Sequence, residues 1–325
     1  GTALVGVLMV LAARNAKEIS ERDGFLVVTA GWVAAGLAGA VPYLATGALD
    51  TIHDAVFESV SGFTTTGASV FSNFERMGHG MLLWRSMTQW FGGMGIIVLA
   101  LVILPALGIG GMQLYKREVP GPYSEKITPR LRDTARALWS VYLLFTLLVI
   151  AVYWALGMTF FEALNHALTT VATGGFSTRL DSIGGFNSPA LEWAAILFMF
   201  LAGMNFFIHF RVLFRPARRW DFLYDTEWRI YLAALLLATV GVAVHLALQM
   251  GYSWTTALTK SAFQVVSITT TTGYASDNYE TWAPAWQILL VLVMFTGGCA
   301  GSTSGGIKWV RVVLVFKFIR LEMLR

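Results

Sequence analysis

Six runs of roughly 20 mainly apolar residues, joined by short connections that carry most of the charge, set what this chain can fold into. They are Phe25 to Thr46, Met81 to Leu107, Leu138 to Leu156, Leu191 to Leu213, Tyr231 to Met250 and Trp286 to Ile319, the last interrupted by glycines. Each is long enough to cross a hydrocarbon core of roughly 30 Å. Of the 325 residues, 56% are hydrophobic and only 13% charged, which leaves too little polar surface for a water-facing domain. A seventh run, Thr2 to Ala13, is too short to span and reads as the end of a helix that begins before Gly1. The single cysteine, Cys299, excludes an intrachain disulfide, and no Cys/His cluster has the spacing of a structural metal site.

The net charge of +4 would suggest a nucleic-acid partner in a soluble protein, but here the basic residues lie in loops between apolar runs. Of 23 Lys and Arg, 19 fall in Arg14 to Arg22, Lys116 to Arg136, Arg211 to Arg229 and Lys308 to Arg325. These are alternate connections and must share one face, which the positive-inside rule makes cytoplasmic. The opposite face keeps Arg76, Arg85, Arg179 and Lys260 against nine acids, a balance of −5. Such a face concentrates cations, although scattered acids are also what any solvated loop contains. No nucleic-acid partner is expected, and the surroundings of the spans are membrane lipid.

The connections on that face repeat. DAVFESVSGFTTTGAS from Asp54, EALNHALTTVATGGFS from Glu162 and KSAFQVVSITTTTGYAS from Lys260 align without gaps up to Gly67, Gly175 and Gly273, at spacings of 108 and 98 residues. Each repeat is an apolar helix, a short amphipathic helix with a Thr/Gly loop, and a second apolar helix, as in duplicated membrane folds. A run of about 12 residues makes a helix roughly 18 Å long, about half the bilayer, and there the chain must turn back. Backbone polar groups left unpaired at that depth cost several kcal/mol each unless they are buried in protein or line a water-filled path, so the three loops must face one another. Glycine suits the turn because it lacks a β-carbon. Threonine adds hydroxyl acceptors, and the inward-pointing helix C-termini favour a cation.

The motifs TTTGAS (Thr64 to Ser69), ATGGFS (Ala172 to Ser177), TTTTGYAS (Thr269 to Ser276) and GGCAGSTSGGIK (Gly297 to Lys308) resemble the Trk/Ktr/HKT superfamily of potassium transporters over nearly the whole chain. RDGF at Arg22 to Phe25 and a helix before the first repeat are more similar to the bacterial TrkH branch than to KtrB. The resemblance implies an all-α integral membrane protein of repeated helix–pore loop–helix units, with re-entrant pore helices around an ion path. It implies a potassium filter at Thr65, Thr66, Gly67, Ala172, Thr173, Gly174, Gly175, Thr271, Thr272 and Gly273, with K+ as the transported ion and no covalent cofactor. It further implies a homodimer in the bacterial cytoplasmic (inner) membrane, gated by a cytoplasmic TrkA-type nucleotide-binding subunit. A sodium- or proton-coupled cation symporter of the same superfamily is the alternative.

On this reading residues 1–23 are the end of an extra helix and a linker, 24–110, 134–214 and 229–325 are pore repeats, and 111–133 and 215–228 are cytoplasmic linkers. The family carries four repeats and this chain three, so it is expected to be a fragment, with a second chain supplying the fourth wall as the alternative. Gly297, Gly298, Gly301, Ser302, Thr303, Ser304, Gly305 and Gly306 interrupt an apolar run, and each interior glycine costs about 1 kcal/mol in a helix. Composition leaves two readings open, a kinked helix packed through glycines or an intramembrane loop. The resemblance implies the loop, acting as a gate.

Enzymatic readings fail on the residues. In GSTSGGIK, Lys308 stands one position too late for a phosphate loop and no hydroxyl residue follows it. In GSTSG, Thr303 occupies the place of a nucleophilic serine. His209 and His245 read as hydrogen-bonded structural residues. Glu58 and His166 share one position in their pore helices and read either as shaping the outer mouth or as local hydrogen bonds. A carrier of an organic or anionic substrate would need paired charges at mid-membrane, which the spans lack, and neither a carrier nor an enzyme explains the repeats.

Overall fold

The computed structural model describes residues 21–72, 74, 77–98, 131–214 and 220–324. The Thr2 to Ala13 run, the 99–130 connection and Arg215, Arg218 and Arg219 lie outside the described residues. Every regular element among them is helical: α1 Glu21–Ala45, α2 Ile52–Phe63, α3 His79–Val98, α4 Leu131–Ala155, α5 Phe160–Val171, α6 Pro189–Ala202, α7 Phe206–Phe214, α8 Thr226–Gln249, α9 Trp254–Thr269, α10 Pro284–Thr296 and α11 Trp309–Met323, with short 3-10 turns between some of them.

These helices form three like groups, each a long helix of 24 or 25 residues, a short helix, and a third helix that returns. The short helices start on hydroxyl caps, because Thr51, Thr159 and Ser253 accept the N–H groups of Asp54, Glu162 and Thr256 that the first turn leaves unpaired. At Thr159 the cap is reciprocal, with Glu162 reaching back to the Thr159 N–H. Helix α9 has 16 residues against 12 in α2 and α5, about one extra turn at its start.

Helices α1, α4 and α8 are each long and apolar enough to cross a membrane alone. Two of the six expected spans are broken. Leu191 to Leu213 divides into α6 and α7, bent by 98°. A β-carbon at Gly203 would lie 2.5 Å from the Tyr231 hydroxyl, and Asn205 Oδ1 accepts the Phe207 N–H at 2.9 Å to start the next helix. Trp286 to Ile319 divides into α10 and α11 around the glycine-rich segment. Helix α3, the described part of the second run, buries Arg85, Ser86, Thr88 and Gln89.

Pore helices α5 and α9 sit at the centre, while α2 packs through Ala55 in a second cluster with Ala40 and Tyr43 of α1 and Met81 and Leu82 of α3. Ala163, Ala167 and Val171 of α5 and Ala257, Phe263 and Val265 of α9 are buried in one core with Tyr142, Tyr153 and Val149 of α4 and Tyr231 and Val242 of α8. Leu236, Leu237, Val240 and Leu248 of α8 and Leu143, Leu144, Leu147 and Leu148 of α4 are exposed, an apolar outer face suited to lipid.

Candidate pore-loop site

All three short helices end in the same way. The N–H of Thr66, Gly174 and Thr272 bonds at 2.9 Å to the carbonyl of Ser61, Thr169 and Ser267, and the N–H of Thr65, Thr173 and Thr271 bonds to that of Gly62, Thr170 and Ile268. This is a Schellman C-cap, whose left-handed position is usually glycine. Here it is threonine, at φ 55° for Thr65, 51° for Thr173 and 56° for Thr271. A β-branched residue there is strained, and such strain persists only where the surroundings over-determine it. Gly67, Gly175 and Gly273 follow two residues later at φ 78°, 78° and 81°. The sequence pointed to glycine for the turn; the structure gives the helix-ending turn to threonine and the second left-handed position to glycine.

The loops stand edge to edge. A β-carbon on Gly67 would lie 2.2 Å from the Gly174 carbonyl oxygen, and one on Gly175 would lie 1.9 Å from that of Thr272, whereas Gly273 has nothing within 4 Å. Loop 2 is thus flanked on both sides, with Ala172, Thr173 and Gly174 buried. Loops 1 and 3 end the arc, and Thr64, Thr66 and Gly273 are exposed. Hydroxyl pairs tighten both outer loops, Thr64 with Thr66 and Thr270 with Thr272, each at 2.7 Å.

Groups 2 and 3 each insert an aromatic ring into the group before. Phe176, next after Gly175, lies under the Arg85 guanidinium of group 1, 4.1 Å from ring centre to Cζ. Tyr274, next after Gly273, donates its hydroxyl to the His166 carbonyl at 3.1 Å. Behind the loops, Tyr142 and Tyr231 repeat one contact, donating to the Trp90 and Phe200 carbonyls at 3.0 and 3.2 Å. The glycines at these places, Gly93 and Gly203, are therefore sites of close packing against the next group, with Ala172 and Thr270 the loop residues they approach.

The chain leaving each loop is fastened by one equivalent position of its pore helix. Glu58 accepts from Ser69 Oγ and the Val70 N–H, His166 Nε2 pairs with Ser177 Oγ at 3.0 Å, and Gln264 donates to the Asp277 carbonyl at 2.7 Å. Local hydrogen bonding thus explains Glu58 and His166. Glu58 also holds Arg85 at 2.7 Å, with both residues almost wholly buried. Breaking a buried ion pair leaves an uncompensated charge and costs about 3–5 kcal/mol. Arg85→Ala should therefore lower the thermal unfolding midpoint of the detergent-solubilised protein substantially, and an unchanged midpoint would show the pair to be dispensable.

At the outer end of α5, Arg179 donates to Glu162 through Nε and Nη2 at 3.0 and 2.7 Å. Burial raises the Glu162 pKa, but the hydrogen bonds from Arg179 and Thr159 outweigh it and leave the carboxyl below its ordinary value. The charged form is the one selected at the start of this helix, where the dipole also favours it.

The glycine-rich segment is a folded loop. Its ends pair, Ile307 N–H to the Phe295 carbonyl and Lys308 N–H to that of Thr296, both at 2.9 Å. Its tip binds beneath loops 2 and 3: Thr303 Oγ1 donates to the Val171 carbonyl at 3.0 Å, Ser304 Oγ to that of Thr270 at 2.8 Å, and the Gly305 N–H to Thr271 Oγ1 at 2.7 Å. Gly297, Gly301 and Gly306 take positive φ, and a β-carbon on Gly297 would meet the Gly305 carbonyl at 2.1 Å. The kinked-helix reading is excluded. Three anchors of this loop were not singled out from sequence: Lys308 Nζ donates to the Ser304 carbonyl, the Cys299 N–H to that of Gly203 at 2.8 Å, and Glu227 Oε1 accepts from Ala300 and Val310 N–H at 2.7 and 3.0 Å. An amide in an apolar run was the available signal for Gln89, whereas Glu227 lies in the charged stretch before a span and carried no such signal.

Residues 2–325 match the family model described as TrkH, cation transport protein. The chain is 43% identical to the Trk system potassium uptake protein TrkH of Halomonas elongata over 330 residues, covering 100% of this chain and 68% of that protein. It is 41% identical to the protein of the same name from Escherichia coli K12 over 313 residues, covering 95% and 64%. Its fold is similar to the crystal structure of the potassium transporter TrkH from Vibrio parahaemolyticus, with a TM-score of 0.85 at 36% identity over 98% of this chain and 67% of that one. The chain thus spans about two thirds of the length of the relatives it matches.

Proposed function

Because the chain belongs to the TrkH family of cation transport proteins, an integral membrane transporter family rather than an enzyme family, we propose that it takes part in potassium uptake through a cation-selective pore. The observation that carries this reading is the thrice-repeated left-handed threonine and glycine, held at one depth by identical helix ends and set edge to edge. Thr65, Thr66 and Gly67, Ala172 to Gly175, and Thr271 to Gly273 supply carbonyl and hydroxyl oxygens that replace the hydration shell of K+. The C-termini of α2, α5 and α9 add the negative ends of their dipoles. A fourth loop covers the open edge beside Gly273 and completes the ring, which the exposure of Thr64, Thr66 and Gly273 supports.

The loop from Gly297 to Gly306 is the gate beneath this filter, and its hydrogen bonds to Val171, Thr270 and Thr271 support a closed state that must release before ions pass. The pore repeats extend over 24–110, 134–214 and 229–325, with residues 1–23, 111–133 and 215–228 as a helix end and cytoplasmic linkers. The family resemblance supports a homodimer opened by a cytoplasmic TrkA-type subunit, and the bacterial relatives support residence in the inner membrane. Rubidium uptake by potassium-uptake-deficient bacteria expressing the reading frame that carries this chain, with a TrkA-type partner, tests the proposal. Saturable uptake that resists sodium is expected. No uptake above the untransformed strain overturns it.

A further inference from the structure

A buried polar side chain of group 1 stands beside loop 2. Gln89 of α3 is fully buried, and its amide brackets the loop: Nε2 donates to the Gly174 carbonyl at 2.7 Å, and Oε1 accepts the Phe176 N–H at 3.1 Å. The amide stands at the seam between two loops, since a β-carbon on Gly67 would lie 3.8 Å from Nε2. The segments QWFGGM from Gln89, MFLAGM from Met199 and MFTGGC from Met294 share one register, fixed by the close-packing glycines Gly93, Gly203 and Gly298. At the two counterpart positions the side chain is methionine, which donates nothing. Volume alone therefore does not require an amide here. A buried amide costs free energy unless it is paired, and this one pairs with the backbone on both sides of Gly175.

We propose that Gln89 is a positioning residue for cation selection, fixing the direction of the Gly174 carbonyl and with it the shape of loop 2. The proposal rests on the potassium-filter reading. Discrimination between K+ and the smaller Na+ depends on cavity size and on the number and field strength of the coordinating dipoles. A carbonyl whose oxygen is held by a buried side-chain donor cannot swing round to follow a smaller ion. Gly174 has this tie and the Phe176 N–H is held as well, so the peptide units about Gly175 are pinned at both ends.

The test is rubidium uptake with sodium as competitor, in potassium-uptake-deficient bacteria expressing the full reading frame as parent, Q89M or Q89N. Q89M installs the side chain of the other two groups, while Q89N keeps an amide that is one carbon too short to reach both partners. In each variant the ratio of sodium to rubidium half-effect concentrations should fall by about tenfold, equal to about 1.4 kcal/mol, with normal accumulation in the membrane. An unchanged ratio in either variant that accumulates overturns the proposal. So does a fall in maximal uptake that leaves the ratio intact, because that is the mark of a merely structural residue. If Q89M fails to accumulate, Q89N decides. A parent without preference for rubidium would instead refute the filter reading itself, and this is read from the parent alone.

Discussion

Gly175→Ala should cut rubidium uptake by at least about tenfold, while Gly31→Ala should leave it at the parent level. At Gly31 an added methyl meets nothing within 4 Å, but at Gly175 it would lie 1.9 Å from the carbonyl oxygen of Thr272 and 3.0 Å from its carbon. These are backbone atoms of a loop fixed by its own helix end, so no side chain can swing aside. The residue also sits at φ 78°, where an L side chain costs roughly 1–2 kcal/mol. Loop 2 lies between its neighbours, and displacing it disturbs both seams at once. Uptake should drop by at least about tenfold, since each 1.4 kcal/mol is a factor of ten. Parent-level uptake by Gly175→Ala would mean that the three loops do not have to keep this spacing.

The second large effect is expected at Glu227. One carboxylate oxygen accepts the N–H of Ala300 in the glycine-rich loop and of Val310 in the first turn of α11. Glu227→Ala leaves both donors without a partner, at about 1–3 kcal/mol each. Glu227→Gln keeps an oxygen acceptor in the same place and should recover most of the loss. Thermal unfolding in detergent reads the stability part. Passive rubidium leak from proteoliposomes without the cytoplasmic partner reads the functional part, because a loop freed from this anchor no longer blocks the path. Wild-type values of both quantities in Glu227→Ala would remove the anchor from the account.

Much of this was legible in the sequence because period and spacing survive without coordinates. Gapless alignment up to Gly67, Gly175 and Gly273 located the three loops and the residues that turn there, and the caps at Thr51, Thr159 and Ser253 follow from the same hydroxyl chemistry. The break at Gly203 was not legible. Its neighbours are apolar and a single glycine is tolerated in a helix, so its cause lies in tertiary contacts, the Tyr231 hydroxyl on one side and the Cys299 N–H on the Gly203 carbonyl on the other. The left-handed threonines could have been suspected, since one stands two residues before each glycine, but propensity argues against a β-branched residue there. Gln89 and Arg85 were visible as polar residues in an apolar run, whereas their partners Gly174 and Glu58 lie 85 and 27 residues away in sequence and only the fold brings them together.

The aromatic inserts give the arc a sense of rotation. Phe176 keys into group 1 and Tyr274 into group 2, and neither has a counterpart after Gly67, where the residue is Ala68. The rings run one way only, and the return contacts are polar: Ser86 and Gln89 of group 1 donate to Asn165 and the Gly174 carbonyl of group 2. Among the described groups the arc therefore has two unlike ends, group 1 with Ala68 where the others carry a ring and group 3 with Tyr274 keyed into its neighbour.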